Sequence, residues 1–231
     1  QMIAWVSVLA IAIGTAALIT VLSVSNGFTE VVKGLYSDFY ADIRVTHPNA
    51  KFYKVSQDQM QQIQKMKGVL AVSKVVENRA LLVRGEKQAV VMIKGVDTNY
   101  TSINQVVHYI KRGAFILGNQ DQPHIVMGIG VEQKLGLFTE ALGDTMQLFA
   151  ISRSGKKLSS LDQLNSLSVT QTGAFSIQQE FDEQYLFTNF SFAQYLLDIA
   201  PSEVSAIELS IQPGDEKKVV ENLTKILGNQ V

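Results

Sequence analysis

The stretch MIAWVSVLAIAIGTAALITVLSVSNGF, residues Met2–Phe28, contains no charged residue and is apolar on every face of a helix. It exceeds the roughly 20 residues that a helix needs to cross the hydrocarbon layer of a bilayer. The run is also longer than the apolar core of a secretory signal peptide, and it lacks the polar stripe of a core helix. The sequence therefore predicts a transmembrane helix over residues 1–28, followed by one extracytoplasmic body.

Composition narrows the classes of function that the chain can serve. The 231 residues carry a formal net charge of −1 and a sequence pI of about 6.4, so no basic field for nucleic acid is present. The chain has no cysteine, which excludes disulfides, a thiol nucleophile and zinc–thiolate sites. Because it begins with Gln rather than Met, we expect it to be a fragment of a longer protein.

Helical spacing of apolar residues continues beyond the apolar run. Val31, Val32, Leu35 and Phe39 recur at helical intervals, with charged residues at other positions. This pattern predicts a stalk helix over residues 29–40.

Two separated segments, residues 41–112 and 202–231, predict the halves of one small α+β layer. Apolar periodicity locates its elements, together with Ser56 as an N-cap, Gln59 at the capping-box position, and a hairpin turn at residues 84–87. The predicted elements are a strand over 41–46, a helix over 56–67, a hairpin over 69–96, a strand over 204–211, and a helix over 216–227 with Val219, Val220, Leu223 and Leu227 facing inward.

Residues 113–201, between these halves, are richer in short strands, among them 145–151 and 184–188, and predict an inserted β-rich subdomain. Within it, residues 152–167 read SRSGKKLSSLDQLNSL and separate two predicted strands. Connections of this length in compact domains usually serve a function or are disordered. The loop combines basic residues with a leucine at every third position, which fits either a binding loop or a surface loop whose leucines fold back on the body.

No constellation of residues indicates catalysis. His47, His108 and His124 are scattered, and no metal-binding or paired-carboxylate spacing accompanies them. Gly128-Ile129-Gly130 lacks the next glycine of a dinucleotide fingerprint. We therefore predict no catalytic residue, no metal site, no cofactor and no enzymatic activity on this chain.

Three passages resemble lipoprotein-releasing ABC permeases of the LolC/LolE type, within the superfamily of MacB-like and FtsX-like permeases. They are GTAALITVLSVSNGF at 14–28, IVMGIGVEQKLGLFTEALGDTMQLF at 125–149, and EFDEQYLFTNFSFAQYLL at 180–197. The resemblance implies an α+β fold in which the two outer segments form a split α/β porter subdomain and the insertion forms a β-rich sabre subdomain.

The resemblance also implies partners and a location. The chain would hold the first membrane helix and the periplasmic core of an inner-membrane permease, paired with a second permease subunit and a cytoplasmic ATPase dimer. ATP hydrolysis on the separate ATPase would drive a lipoprotein substrate out of the membrane and onto a periplasmic lipoprotein chaperone.

In LolC-type members, the loop that corresponds to residues 152–167 is a hook that holds the chaperone. This chain departs from them in having no proline and four leucines there. The residues predicted to bind the chaperone are Arg153, Lys156, Lys157, Leu158, Leu161 and Leu164. On the stalk, Phe28, Leu35 and Phe39 are predicted either to line the lipoprotein's path between two permeases or to pack on the domain.

Three other functional hypotheses compete with lipoprotein release. A MacB-like efflux permease or an FtsX-like signalling permease would share the architecture without needing a chaperone loop. A membrane-tethered sensor or scaffold would need only one span. An extracytoplasmic enzyme is disfavoured by the missing motifs.

Overall fold

The computed structural model describes residues 2–137, 142–151 and 164–228. The chain forms two compact units, Gln1–Asp38 and Phe39–Val231. The first unit is helical, and the second is a mixed α/β body.

A single helix, α1, covers Met2–Phe39. Its segment Trp5–Val32 is long and apolar enough to cross a membrane, with a mean hydropathy of 2.3 and no buried side chains. Three threonines within it, Thr15, Thr20 and Thr29, donate their hydroxyl protons to the carbonyl four residues earlier. Because those hydroxyls are satisfied within the helix, they do not prevent it from lying in an apolar medium. The helix continues past the apolar run, as predicted.

The strands in the described part of the body are β1 Ile43–Val45, β2 Tyr53–Lys54, β3 Val69–Arg84, β4 Lys87–Val96, β5 Ile110–Gly113, β6 His124–Gly128, β7 Thr145–Ile151, β8 Leu164–Phe175, β9 Tyr185–Asn189, β10 Glu203–Val204 and β11 Ala206–Ile211. Most of them form one large sheet with the order β1-β11-β3-β4-β9-β6-β8-β5, while β7 pairs with both β3 and β8. A second, small sheet pairs β2 with β10.

Within the described residues, five further α-helices and two 3₁₀ turns lie between these strands or, for the last helix, after them. The helices are α2 Gln57–Gln64, α3 Ile129–Lys134, α4 Gln179–Asp182, α5 Phe190–Leu197 and α6 Glu216–Leu227, and the 3₁₀ turns are Tyr100–Ser102 and Val106–Tyr109.

The long strand β3 joins the two predicted parts of the body. Toward its start it pairs with β11, up to the register Val75 to Ala206, and toward its end it pairs with β7 from Leu81 to Val83. Strands of the two outer segments and strands of the inserted segment therefore belong to one continuous sheet.

The two faces of this sheet differ in chemistry. On one face Val72, Val76 and Leu82 of β3 join the hydrophobic core, together with residues of α2, α5 and α6. The opposite face carries Glu77 and Lys94 at positions paired across β3 and β4. Since side chains alternate between faces along a strand, the charged residues share one side of the sheet without entering the main core.

Helix α2 begins as predicted. The Ser56 hydroxyl accepts the backbone N–H of Gln59, and the Gln59 side chain accepts the backbone N–H of Ser56. This reciprocal capping box satisfies two backbone donors at the helix start.

Helix α6 agrees with its prediction except at one position. Val219, Leu223 and Leu227 are buried, whereas Val220 is 49% exposed. The prediction that Val220 faces inward was wrong, because the buried residues recur four apart and Val220 lies about 100° around the helix axis from Val219, the buried residue at its own level of the helix.

Candidate functional site

The strands β7 and β8, which flank the predicted hook loop in sequence, form an antiparallel β-hairpin. The two strands pair antiparallel from Thr145 opposite Thr170 to Ile151 opposite Leu164. The amide of Asn165 donates to the Leu196 carbonyl of α5 at 2.9 Å. The hairpin is thus attached to the body close to the point where the loop begins.

Strand β8 begins earlier than the sequence indicates. Residues Leu164–Leu167, predicted as loop, are paired with β7, so the connection between the strands is 152–163. Leu167 lies opposite Leu148 and packs against the hydrophobic core. Leu167 is therefore a leucine because it packs on the core from strand β8, although it also fits the spacing of the leucines before it.

Most of the predicted chaperone-binding residues fall within this connection. Leu164 is the first residue of β8, opposite Ile151, whose side chain is 69% exposed. The remaining five, Arg153, Lys156, Lys157, Leu158 and Leu161, lie outside the described residues.

The three predicted stalk residues do not form one group. Phe28 is 70% exposed on α1, and the side chain of Leu35 lies outside the described part of the structure. Phe39 is fully buried and stacks on Phe181 with a ring-centroid distance of 4.0 Å. It also contacts Tyr185 edge-on at 4.9 Å. Phe39 was predicted either to line the lipoprotein's path or to pack on the domain, and its buried, stacked ring agrees with packing on the domain.

Beneath Phe39 lies a buried charged group that the sequence analysis missed. The Lys94 ammonium is fully buried and lies 2.9 Å from a Glu208 carboxylate oxygen. It also lies 5.3 Å from the centre of the Phe39 ring and 5.0 Å from that of Tyr100. A carboxylate and two aromatic faces together compensate the cost of burying this charge.

Arg44 extends the group toward the surface. Its guanidinium contacts the same Glu208 oxygen at 3.1 Å and forms a second ion pair with Glu77. We call Phe39, Arg44, Glu77, Lys94 and Glu208 the Lys94 cluster. It connects β1, β3, β4 and β11 with the residue that ends α1.

The electrostatics of the Lys94 cluster favour the charged forms of its bases. Burial alone lowers the pKa of Lys94, but Tyr100 and the Glu208 carboxylate outweigh burial and raise it. Burial likewise lowers the pKa of Arg44, and the carboxylates of Glu77 and Glu208 raise it by more. Burial raises the pKa of Tyr100 to about 12, so its hydroxyl stays protonated near neutral pH.

One sequence signal for the cluster was available. Lys94 interrupts the apolar run AVVMIKGV of β4, and Glu208 interrupts the run AIELSI of β11. Two opposite charges inside two buried strands indicate an internal ion pair, because an unpaired buried charge is very unfavourable. In residues 2–137, 142–151 and 164–228, no group of His, Asp and Glu side chains is arranged to hold a metal ion.

The family comparison covers almost the whole chain. Residues 4–226 match the MacB-like periplasmic core domain. The chain belongs to this family. The MacB-like core therefore includes the sheet, the β7–β8 hairpin and the Lys94 cluster.

One curated relative aligns with almost the whole chain. The chain is 23% identical over 217 residues to the lipoprotein-releasing system transmembrane protein LolE of Haemophilus influenzae, an alignment that covers 91% of the chain and 50% of the relative. The chain thus spans about half the length of that relative.

The solved structures are similar in fold. The extracellular domain of the noncanonic ABC-type transporter YknZ from Gram-positive bacteria aligns with a TM-score of 0.55 and 12% identity, over 78% of this chain and 87% of that one. The periplasmic region of MacB from Actinobacillus actinomycetemcomitans aligns with a TM-score of 0.53 and 15% identity, over 82% and 78%.

Proposed function

We propose that the chain is the first membrane helix and the periplasmic core of an ABC transporter permease that releases lipoproteins from the inner membrane to a periplasmic chaperone. The observation that carries this proposal is the alignment with the lipoprotein-releasing protein LolE over 91% of the chain. The MacB-like core and the candidate span Trp5–Val32 support it.

The chain contributes binding and coupling to this function. A separate cytoplasmic ATPase dimer hydrolyses ATP, and a second permease subunit completes the membrane part. We place the coupling of the membrane helix to the core at Phe39, because this residue directly follows the helical unit in sequence and its ring is fully buried beside Lys94.

The connection 152–163 is the proposed contact with the chaperone. Its apolar Leu158 and Leu161 would insert into the partner, and the basic Arg153, Lys156 and Lys157 would steer the encounter. The hairpin beneath supports this role, since Asn165 attaches β8 to the body.

The test is a pull-down of the lipoprotein chaperone on the full chain, in neutral detergent, with Leu158→Ala/Leu161→Ala. We expect capture by the unaltered chain and at least tenfold weaker capture by the variant, with the thermal unfolding midpoint unchanged. Val90→Ala is the matched control, because it removes an apolar side chain that is 67% exposed and lies elsewhere on the sheet.

Two results would contradict the hook. Chaperone capture that survives the double substitution would remove the loop from the interface. A lower unfolding midpoint with unchanged capture would mean that the leucines fold back on the body. Capture of an outer-membrane channel or a cell-wall hydrolase regulator instead would move the chain to an efflux or signalling permease.

A further inference from the structure

A groove of about 770 Å³ opens beside the Lys94 cluster, and it has no place in the function proposed above. Its lining includes Tyr40, Arg44, Lys51, Arg79 and Tyr185. The groove therefore presents three cations and two phenol rings on one surface.

These positive charges are only partly neutralised. Glu77 is the one carboxylate among the described residues that line the groove, and it already forms an ion pair with Arg44. In the described part of the chain, neither Lys51 nor Arg79 forms an ion pair. In those residues the groove thus carries two cations without an ion-pair partner, and the Glu77 carboxylate acts on Lys51 only from beyond ion-pair distance.

The Asn78 side chain links the Lys51 ammonium to the backbone of Arg79, and both cationic side chains line the groove. The Lys51 ammonium donates to the Asn78 amide oxygen, and the same oxygen accepts the backbone N–H of Arg79 at 2.8 Å. Burial and then the nearby Arg79 charge lower the pKa of Lys51. Like charges that the fold keeps side by side are stabilised when an anion binds between them.

His47 adds a further donor to the lining. Its Nδ1 accepts the backbone N–H of Asn49 at 3.1 Å, so a neutral ring carries its proton on Nε2. The groove therefore combines an imidazole N–H with guanidinium and ammonium groups, which is the set of donors that a tetrahedral oxyanion accepts from in proteins.

We propose that this groove is a phosphate-binding site, occupied by the phosphate group of a membrane lipid or by free phosphate. Its place in the chain favours phosphate over an acidic peptide. Tyr40 follows α1 directly, and the helical segment from Val32 to Phe39 is only about 10 Å long at 1.5 Å per residue. Lipid phosphates lie within the polar layer several ångströms beyond the hydrocarbon core.

The test uses the full chain in neutral maltoside micelles. Inorganic phosphate, dioctanoyl phosphatidylglycerol and a tetraglutamate peptide are titrated separately, and binding is followed by microscale thermophoresis. The variant is Lys51→Gln/Arg79→Gln. The control is Lys67→Gln/Lys217→Gln, which removes the same charge from exposed positions outside the groove.

We expect saturable binding of a phosphate-bearing probe that weakens at least tenfold in the groove variant and is unchanged in the control. Tighter binding of phosphatidylglycerol than of phosphate identifies the lipid headgroup as the source, and equal binding identifies free phosphate. Arg79→Lys retains the charge and should retain most of the binding, so it separates loss of charge from loss of fold.

Three results would overturn the proposal. They are the absence of saturable binding by either phosphate probe, equal weakening in the groove variant and the control, and tighter binding of tetraglutamate than of both phosphate probes. The last result would assign the groove to an acidic peptide.

Discussion

Lys94 occupies a position that tolerates little change. Its ammonium is fully buried, and its ion-pair partner Glu208 is buried as well. Lys94→Met leaves the carboxylates of Glu77 and Glu208 with Arg44 as the one cation of the Lys94 cluster, so one negative charge has no partner. We expect the free energy of unfolding to fall by about 3–5 kcal/mol, the usual effect of removing one member of a buried pair. Urea denaturation of the full chain in detergent measures it.

The double variant Lys94→Met/Glu208→Leu separates burial from pairing. It removes both charges and keeps similar volumes, so we expect it to recover most of the lost free energy of unfolding. If the double variant were as unstable as the sum of both single variants, the pair would not act as a unit and this description of the Lys94 cluster would be wrong.

At the scale of elements, helix α6 offers a matched pair of adjacent valines. Val219 is fully buried and Val220 is 49% exposed. We expect Val219→Ala to lower the free energy of unfolding by about 2 kcal/mol, through lost burial and the cavity left behind. Val220→Ala should change it by less than about 0.5 kcal/mol. Equal effects of the two substitutions would mean that α6 packs with a different face.

Elements with their own local signals could be predicted from the sequence. The capping box at Ser56 and the hairpin turn at Gly85 each depend on only a few adjacent residues, and both occur where the sequence predicts them. Helix caps and tight turns can be recognised from neighbouring residues alone, because their hydrogen bonds and backbone angles are local. The strands β7 and β9 likewise follow from short β-rich runs.

What depends on distant residues could not be predicted in the same way. Leucines at every third position from Leu158 to Leu167 predict one continuous loop. Residues Leu164–Leu167 instead form the start of β8, because they pair with β7. The pairing of Lys94 with Glu208 joins residues 114 positions apart. Sequence pattern marks each charge as unusual, but only the strand order brings them together.

At the scale of the whole molecule, the continuous sheet predicts how the body unfolds. Because β3 pairs with β11 at one end and with β7 at the other, neither predicted subdomain can separate without breaking hydrogen bonds of the same strand. We expect the body to unfold in one calorimetric transition, with van't Hoff and calorimetric enthalpies in agreement. Two resolved transitions for the body would show that its two parts are independently stable.

The proposed function is tested most directly by reconstituting the permease to which we assign this chain, together with the proposed ATPase, in proteoliposomes that carry a triacylated lipoprotein. The amount of lipoprotein transferred to a soluble periplasmic chaperone is then measured with and without ATP. We predict ATP-dependent transfer that is lost when residues 152–163 are replaced by a short Gly-Ser linker. Transfer that does not depend on ATP, or an active ATPase that transfers no lipoprotein, would contradict the assignment to lipoprotein release.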